Sequence, residues 1–481
     1  MTFTGGGRIA TLMVATALAA VLCSQGEAAT ARRAPKSPPR PSAVKPRATT
    51  RAAVKPKPHT TAPTATAPAR PTPPQPPAAP ALPPLELAAL VAQAIEDNPE
   101  LQAMRREIAA REAAVPQARA LMDPMLEVRL ANMMANNLSL NEDPMSGIEI
   151  MLRQQVPYPG KRSLRGEMAQ SEAAMTVEQY RSSLFDVVAR VKRSYYNLWQ
   201  AEQIIAIIQL TQGSVKDIAK IAEEKYAVGL GLQQDVLRAQ LEVSRILNEM
   251  LMWQREREGA RAELNAALGR SPESPLGPAA KVEKTEVPLS LSSLQQTALT
   301  SSPMLRERNI GIRRAQAEEA LAVKELKPDF EFGLGYMFRS RIMGEPMSGT
   351  DMISASVGLN LPIYARTKQR KRIEETRSDL EAARARREAA QVEIFSMLAD
   401  LKAEADRNSR QIDLYRRGII PQAELAFESA RAGYQVGKID FLALLDAQMR
   451  LYEYQIAYYQ SLAAYQRALA EIERTAGTTL F

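Results

Sequence analysis

The sequence predicts a mainly α-helical chain with a transmembrane β-barrel component: tandem-duplicated, long coiled-coil helical hairpins with four strands per protomer. Three observations carry that assignment. One unit is written twice at an almost constant offset, apolar residues recur every seven positions over long runs, and four separate stretches alternate apolar with polar residues.

Residues 1–31 read as a secretory signal. Arg8 precedes an uncharged, mostly apolar run from Ile9 to Cys23, and Ala29 and Ala31 offer the small pair for cleavage. The run falls short of the roughly 20 apolar residues that a membrane-crossing helix needs, as does every later stretch, so any membrane insertion must use strands. Cys23 offers a second reading, acylation of a cysteine that follows the apolar run. Leu22 counts against it, because the preceding position normally takes a small side chain. Residues 32–84 hold 17 of the 32 prolines, ten basic residues and no acidic one. Such a segment buries no core and favours extended polyproline conformations. It reads either as an electrostatic tether to an anionic surface or as a solvated spacer.

The formal net charge of +8 belongs to this N-terminal region. Eleven of the 62 Lys and Arg precede residue 85 against one of the 54 Asp and Glu, which leaves the body 51 basic and 53 acidic residues, a net of −2. The body therefore gives no reason to expect nucleic acid. The single His, His59, and the single Cys, Cys23, also lie outside residues 85–481. That excludes from the body a Cys/His zinc site, a Ser-His-Asp triad, a Cys-His dyad and a histidine general base. Carboxylate, Lys or Tyr chemistry stays open in principle, yet no glycine-rich phosphate loop follows a strand-like run. The expectation is a protein with no enzymatic activity and no cofactor.

The duplication is read from landmarks in a fixed order. Asn98-Pro99-Glu100-Leu101 recurs as Ser302-Pro303-Met304-Leu305 and Pro124 as Pro328, both shifted by 204; Val156-Pro157-Tyr158 recurs as Leu361-Pro362-Ile363, shifted by 205. Tyr226, Val228 and Gly229 recur as Tyr434, Val436 and Gly437, Ala239-Gln240 as Ala447-Gln448, and Gly269 as Gly477, all shifted by 208. The repeats span 85–269 and 289–481, joined by a Pro-rich linker, 270–288.

Each repeat reads as helix, two strands, very long helix, turn, helix. Val177, Leu184, Val191, Leu198 and Ile205 recur every seven residues, with Tyr180, Val187, Ala201 and Ile208 at the second seam position. A helix from Lys161 to Tyr226 would be on the order of 100 Å long at 1.5 Å per residue. Gly213 and Pro421, 208 apart, predict that both copies loosen or kink at one height. The strands are expected at about 124–134, 146–156, 328–338 and 351–361. Leu126, Val128 and Leu130 alternate with Glu127 and Arg129, and Phe330, Phe332, Leu334, Tyr336 and Phe338 with Glu331, Gly333 and Gly335; Ile148 to Leu152 and Ile353 to Leu361 follow the same pattern. One apolar and one polar face over about ten residues suits transmembrane barrel strands. Amphipathic hairpins on a soluble core are the other reading. Four strands cannot close a barrel alone, so a pore predicts a cyclic homo-oligomer.

Over residues 85–481 the chain resembles the outer-membrane factors of Gram-negative bacteria, the TolC-like efflux and secretion ducts. The residues that carry the resemblance are Tyr226-Ala227-Val228-Gly229 through Asp235-Val236-Leu237-Arg238-Ala239-Gln240, Tyr434-Gln435-Val436-Gly437 through Leu444-Leu445-Asp446-Ala447-Gln448, Val156 through Lys161, and Ile420-Pro421-Gln422-Ala423-Glu424. The resemblance implies a homotrimer with a twelve-stranded barrel in outer-membrane lipid and a periplasmic α-barrel tunnel. It also implies two protein partners: a periplasmic adaptor (membrane fusion protein) and an inner-membrane pump of the resistance-nodulation-division or ABC type. The duct is then a passive conduit for drugs, metal ions or polypeptides, and the pump supplies the free energy. A secreted coiled-coil scaffold or adaptor without a pore is the alternative.

The resemblance also implies sites. Asp446 falls on a position of the acidic ring that narrows the entrance; Ala443 departs from the family where another aspartate can stand, and Asp235, Arg238 and Asp440 complete the gate candidates. The helix tips that receive the adaptor are Tyr226, Val228, Gly229 and Leu230 in the first repeat and Tyr434, Val436, Gly437 and Ile439 in the second. Independently of any relative, a reversal between antiparallel helices commonly needs positive φ, which Gly229 and Gly437 supply. Pro124, Pro157, Pro328 and Pro362 mark strand–helix junctions. Methionines cluster at the strand pairs, Met122, Met125, Met133, Met134, Met145 and Met151 at the first and Met337, Met343, Met347 and Met352 at the second. Thioethers suit soft ions such as Cu(I), but without His or Cys they equally serve as adaptable packing, and no metal site is assigned.

Overall fold

The computed structural model describes residues 83–133, 139–140, 143–286, 290–344, 346 and 348–480. The signal segment with Cys23, nearly all of the Pro-rich arm, Met134 and Met347 lie outside the described residues. The chain runs α1 (Leu87–Asp97), α2 (Pro99–Arg119), β1 (Met125–Ala131), β2 (Gly147–Val156), α3 (Lys161–Ala227) and α4 (Gln233–Ala267). The same order then repeats as α5 (Leu291–Ser301), α6 (Pro303–Lys324), β3 (Phe330–Arg339), β4 (Met352–Leu359), α7 (Gln369–Leu414), a π-helical turn (Tyr415–Ile419), α8 (Ile420–Gln435) and α9 (Phe441–Ala476).

The heptad positions of α3 explain its packing. Val187, Val191, Leu198, Ala201, Ile205 and Ile208 are buried, while Val177, Tyr180 and Leu184 nearer the strands are half-buried. With 67 residues, α3 packs in turn against α2, α6, α9 and α4. Three apolar cores result. Toward the tips, Ile208, Val215 and Ile218 of α3 meet Ala239 and Ile246 of α4, Phe427 of α8 and Leu444 and Tyr452 of α9. Nearer the strands, Leu101, Val191, Leu198 and Leu264 form the first repeat's core, and Leu305, Leu398, Leu462 and Ile472 the second's. Each fully buried Leu or Ile stabilises by about 1.5–3 kcal/mol. Ion pairs add register between α3 and α9: Lys192 with Glu473, Arg193 with Glu471, and Asp186 with Arg474 at 3.3 Å. Burial opposes the charge of Glu471, but hydrogen bonds from Arg193 and Arg474 outweigh it and hold the carboxyl below its ordinary range.

The expected matching kinks do not occur. α3 runs unbroken through Gly213, because glycine keeps its N–H and the i→i−4 ladder stays intact. Pro421 has no N–H, and the chain accommodates it with the π-helical turn just upstream. The linker is also firmer than its composition suggests. Leu85 pairs in parallel with Ala279, Tyr195 Oη donates to the Leu85 carbonyl, Glu202 accepts from Ala279 N (2.9 Å), and Tyr465 Oη donates to the Thr285 carbonyl (2.7 Å).

Two pairs of repeat landmarks turn out to be in contact. Asn98 caps α2, accepting from Glu100 N and Leu101 N, while its amide donates to the Ala267 carbonyl at the end of α4 (3.1 Å). Gly269 then turns with φ 72° against Pro99, and Gly477 turns with φ 74° against Pro303. A Cβ on Gly477 would sit 2.5 Å from Pro303 Cδ and 2.7 Å from the Ser301 carbonyl.

The strands form one antiparallel sheet in the order β1-β2-β3-β4. β1 stops short of the expected residue 134 because Asn132 takes φ 55°; its amide donates to the Met145 carbonyl, and its carbonyl accepts from Ser146 Oγ. β4 stops at Leu359, ahead of Pro362. The register aligns Val128, Ile150, Tyr336 and Ile353 in one row and Leu126, Leu152, Leu334 and Ala355 in the next, and the large members of both rows are exposed. On the opposite face Arg153 reaches Glu127 (2.9 Å) and Glu331 (3.8 Å), and Arg129 reaches Glu127 (3.1 Å) and Glu149 (3.6 Å). Gly333 and Gly335 leave room there for the Ser356 and Ser354 hydroxyls. Pro124, Pro157, Pro328 and Pro362 all lie at the helical rim of the sheet, before β1, after β2, before β3 and after β4. At that rim buried Lys161 donates to Asp329 Oδ1 (2.8 Å) and the Lys327 carbonyl (3.0 Å), and Tyr158 N donates to the same carboxylate (2.7 Å).

Two outcomes are expected. Gly477→Ala should lower the melting temperature in detergent by more than Gly437→Ala, because the first adds a clash with Pro303 to the roughly 1–2 kcal/mol of left-handed backbone that both incur; equal shifts would remove the Gly477–Pro303 wedge. Leu334→Arg, on the apolar face at mid-strand, should weaken insertion into phospholipid vesicles by about 2–4 kcal/mol, while Ser356→Arg on the polar face should insert normally. Equal insertion of the two variants would remove the lipid-facing assignment.

Candidate functional site at the helical tips

α3 reverses into α4 through residues 228–232, and α8 into α9 through 436–440, and one device closes both turns. Gly229 N donates to the Tyr226 carbonyl (3.0 Å) and Leu230 N to that of Lys225 (2.8 Å); Gly437 N donates to the Tyr434 carbonyl (3.1 Å) and Lys438 N to that of Gly433 (2.9 Å). This 6→1, 5→2 pattern needs a left-handed residue, supplied by Gly229 at φ 77° and Gly437 at φ 75°. No atom lies within 4 Å of a Cβ built on either glycine, so the demand is conformational and not one of space.

The side chains of the two tips differ. In the first, Tyr226 (48% exposed), Val228 (69%) and Leu230 (79%) stand in solvent. In the second, Val436 does the same, but Tyr434 is only 5% exposed. Its ring meets Phe441 edge-on at 5.8 Å, Lys225 Nζ sits 4.1 Å from its centroid, and the same ammonium donates to its carbonyl. Such contacts are worth about 0.5–2 kcal/mol each. Burial, with a smaller contribution from the Asp235 carboxylate, raises the Tyr434 hydroxyl above its ordinary value. Tyr434 is therefore an interior residue that binds the second tip to α3, and not part of the exposed surface. Ile439 is half-buried and fills the space beside Gly433, where a Cβ would lie 2.7 Å from its Cδ1.

The gate candidates also separate by role. Asp440 is the N-cap of α9, its Oδ1 accepting from Ala443 N at 2.8 Å. Asp446, six residues further on, is exposed and pairs with Arg450, Oδ2 to Nε at 2.9 Å. The Asp446 carboxylate raises the Arg450 guanidinium above its ordinary value. Asp235 is half-buried in the first turn of α4, and Arg238 is exposed. Among the described residues no hydrogen bond or ion pair joins Asp446 to Asp235, Arg238 or Asp440. Arg450 was legible, since an acidic residue four positions before an arginine on a helix is a standard pairing. Lys225 was not, because its partner lies in the other repeat.

No group of three or more His, Cys, Asp or Glu among the described residues is arranged to hold a metal. The register places Met337 opposite Met352, and Met151 opposite Gly335, on the polar face of the sheet. Arg153 Nε lies 3.2 Å from the Met151 sulfur. These thioethers fill space beside charged groups, Met151 against Gly335 and Met337 against Gly147.

Residues 90–270 and 294–478 match the family described as outer membrane efflux protein. The cobalt-zinc-cadmium resistance protein CzcC of Cupriavidus metallidurans is 24% identical over 401 residues, covering 82% of this chain and 90% of its own. Among solved structures, the outer membrane protein VceC of Vibrio cholerae superposes with a TM-score of 0.69 at 16% identity, covering 82% of this chain and 96% of that one. CusC superposes with a TM-score of 0.70 at 17% identity, covering 82% and 92%. With both halves of its duplicated body matched, the chain belongs to the outer membrane efflux protein family, and its place is the bacterial outer membrane, with the helices forming a periplasmic tunnel.

Proposed function

We propose that the protein is the passive outer-membrane duct of a three-component export machine. Three copies give four strands each to a twelve-stranded barrel and their helices to a tunnel. A periplasmic adaptor (membrane fusion protein) docks at the tips, and an inner-membrane pump of the resistance-nodulation-division or ABC type supplies the free energy. The observation that carries this reading is the four-stranded sheet: its apolar face is exposed, its other face is charged, and both of its edges are unpaired among the described residues. A soluble scaffold has no use for such a sheet, whereas a barrel shared between copies has one.

Docking at the tips is supported by the exposed apolar group Tyr226, Val228, Leu230 and Val436, held on turns that Gly229 and Gly437 allow and backbone hydrogen bonds close. The entrance is proposed to lie at Asp446. Each of its carboxylates carries its own arginine, so the three-fold ring presents ion pairs rather than bare negative charge. Cargo selection is left to the pump. Metal cations are the first cargo to try, given the similarity to a protein named for cobalt, zinc and cadmium resistance.

Planar-bilayer conductance with oligomer mass measured on the same sample tests the duct. Wild type should give discrete steps from a trimer; Arg450→Ala should shift the reversal potential toward cation preference, and Asp446→Ala should shift it the opposite way. Identical reversal potentials in all three would move the constriction away from Asp446, and absence of both insertion and trimer would favour the scaffold. Docking is tested separately: Val228→Asp with Val436→Asp should abolish adaptor pull-down and export while leaving the trimer intact. Retained pull-down would place the adaptor elsewhere.

A further inference from the structure

The two junctions that lead from strand to long helix differ in what their basic residues meet. After β2, buried Lys161 donates to Asp329 and to the Lys327 carbonyl, and Arg162 donates to the Arg119 carbonyl (2.8 Å), so both cations are engaged within the chain. After β4, the repeat puts Arg366 in the place of Lys161 at an offset of 205, but Met125 in the place of Asp329 at 204. The carboxylate that anchors the first junction therefore has no counterpart at the second.

The second junction is also the more basic. From Leu361 to Ile373 the chain carries Arg366, Lys368, Arg370, Lys371 and Arg372 and no acidic residue. Lys371 pairs with Glu374 (2.6 Å), and Arg372 with Glu318 (2.6 Å) and Glu375 (2.7 Å). Arg366, Lys368 and Arg370 are exposed, and among the described residues no side chain or carbonyl engages their charged ends. Like charges this close along the chain repel one another, a cost that bound anions remove.

What lies beside these cations selects the anion. Asn360 N still donates to the Asp329 carbonyl (3.1 Å), so the alternation of β4 persists to Leu361, which continues the exposed apolar row of Val357 and Leu359. The chain then passes through Ile363 and Tyr364, which are 76% and 70% exposed. An apolar surface that runs straight into a cluster of cations fits a membrane boundary, where acyl chains give way to phosphates. Tyrosine suits that level because its ring is apolar and its hydroxyl is not, and lysine and arginine lay their stems on apolar surface while their charged ends stay among the headgroups. A soluble acidic partner would account for the cations but not for the apolar face that leads to them.

We infer that the β4–α7 junction is a binding surface for anionic phospholipid of the periplasmic leaflet, with Ile363 and Tyr364 at the level of the headgroups and Arg366, Lys368 and Arg370 on their phosphates. The inference rests on the membrane barrel proposed above and adds a lipid preference, seated in the second repeat alone.

Fluorescence quenching tests it. Tyr364→Trp places a fluorophore at the junction, read as the difference from the unsubstituted chain, whose Trp199 is buried in the second repeat's core and whose Trp253 lies on α4. The full chain is reconstituted into phosphatidylcholine vesicles that contain a minor share of brominated phosphatidylglycerol or, in parallel, the same share of brominated phosphatidylcholine. In dilute buffer the anionic quencher should be more effective by about threefold or more. The ratio should fall toward unity in about 1 M salt, where the screening length shrinks to about 3 Å. Adding Arg366→Gln, Lys368→Gln and Arg370→Gln should remove the preference and leave quenching by phosphatidylcholine in place; the salt response of Tyr364→Trp alone decides the matter if that variant does not insert. Equal quenching by the two lipids, a preference that survives the triple substitution or high salt, or quenching by neither lipid in a trimer that has inserted each overturns the lipid surface and leaves the duct standing. Failure of the unsubstituted chain to insert in either lipid overturns both.

Discussion

Backbone hydrogen bonding at the sheet edges is the constraint on which the rest depends. β1 and β4 each present a row of N–H and C=O groups that no other described strand pairs, beside a face of Leu, Val, Phe and Ile. In hydrocarbon an unsatisfied peptide group costs several kcal/mol, so such a sheet can enter a membrane only as part of a closed barrel. Burial of the apolar face and pairing of the edges are thus one event, and the strands are stable in lipid only when chains assemble.

The helices solve a different problem, which is to hold a long thin structure in register. A helix of 67 residues cannot be positioned by one core, and α3 instead contributes to all three, giving Trp199 to the second repeat's core and changing partners from α2 and α6 to α9 and α4. Ion pairs between Lys192 or Arg193 and α9 lie where the cores meet, and there their partial burial makes them more than the weak surface pairs seen along α7. Asn98 and the two closing glycines tie the helix ends to one another, and in the first repeat that tie packs about midway along α3, beside Val191 and Leu198.

Much of this was legible in the residues, and the remainder was not for identifiable reasons. The seam of α3, the strand pairs and the glycine turns follow from periodicity and local backbone preference, signals that short segments carry by themselves. The kink at Gly213 was misjudged because glycine weakens a helix without removing a hydrogen bond, whereas Pro421 removes one. Tyr434 looked like a twin of Tyr226 and became an interior residue only through Lys225, 209 positions away along the chain. The capping role of Asp440 is local by contrast: an aspartate three residues before the Ala443 amide can accept its N–H at the helix start.

The departures from internal symmetry bear on how such a duct would move. In the proposed trimer, duplication would make six quasi-equivalent hairpins, and the two kinds of interface between hairpins would not be chemically identical. Inside one copy, Lys225 reaches across to Tyr434 and holds the second tip against α3. The counterpart of Lys225 at an offset of 208 is Gly433, which has no side chain, so the corresponding contact between copies lacks the ammonium. The π-helical turn at Tyr415–Ile419 interrupts the α-helical ladder of the second hairpin above the same tip. If the duct opens by spreading its tips, the two tips of one copy are tied and the seams between copies are not. The softer interfaces then give first, and the two hairpins of one copy move together.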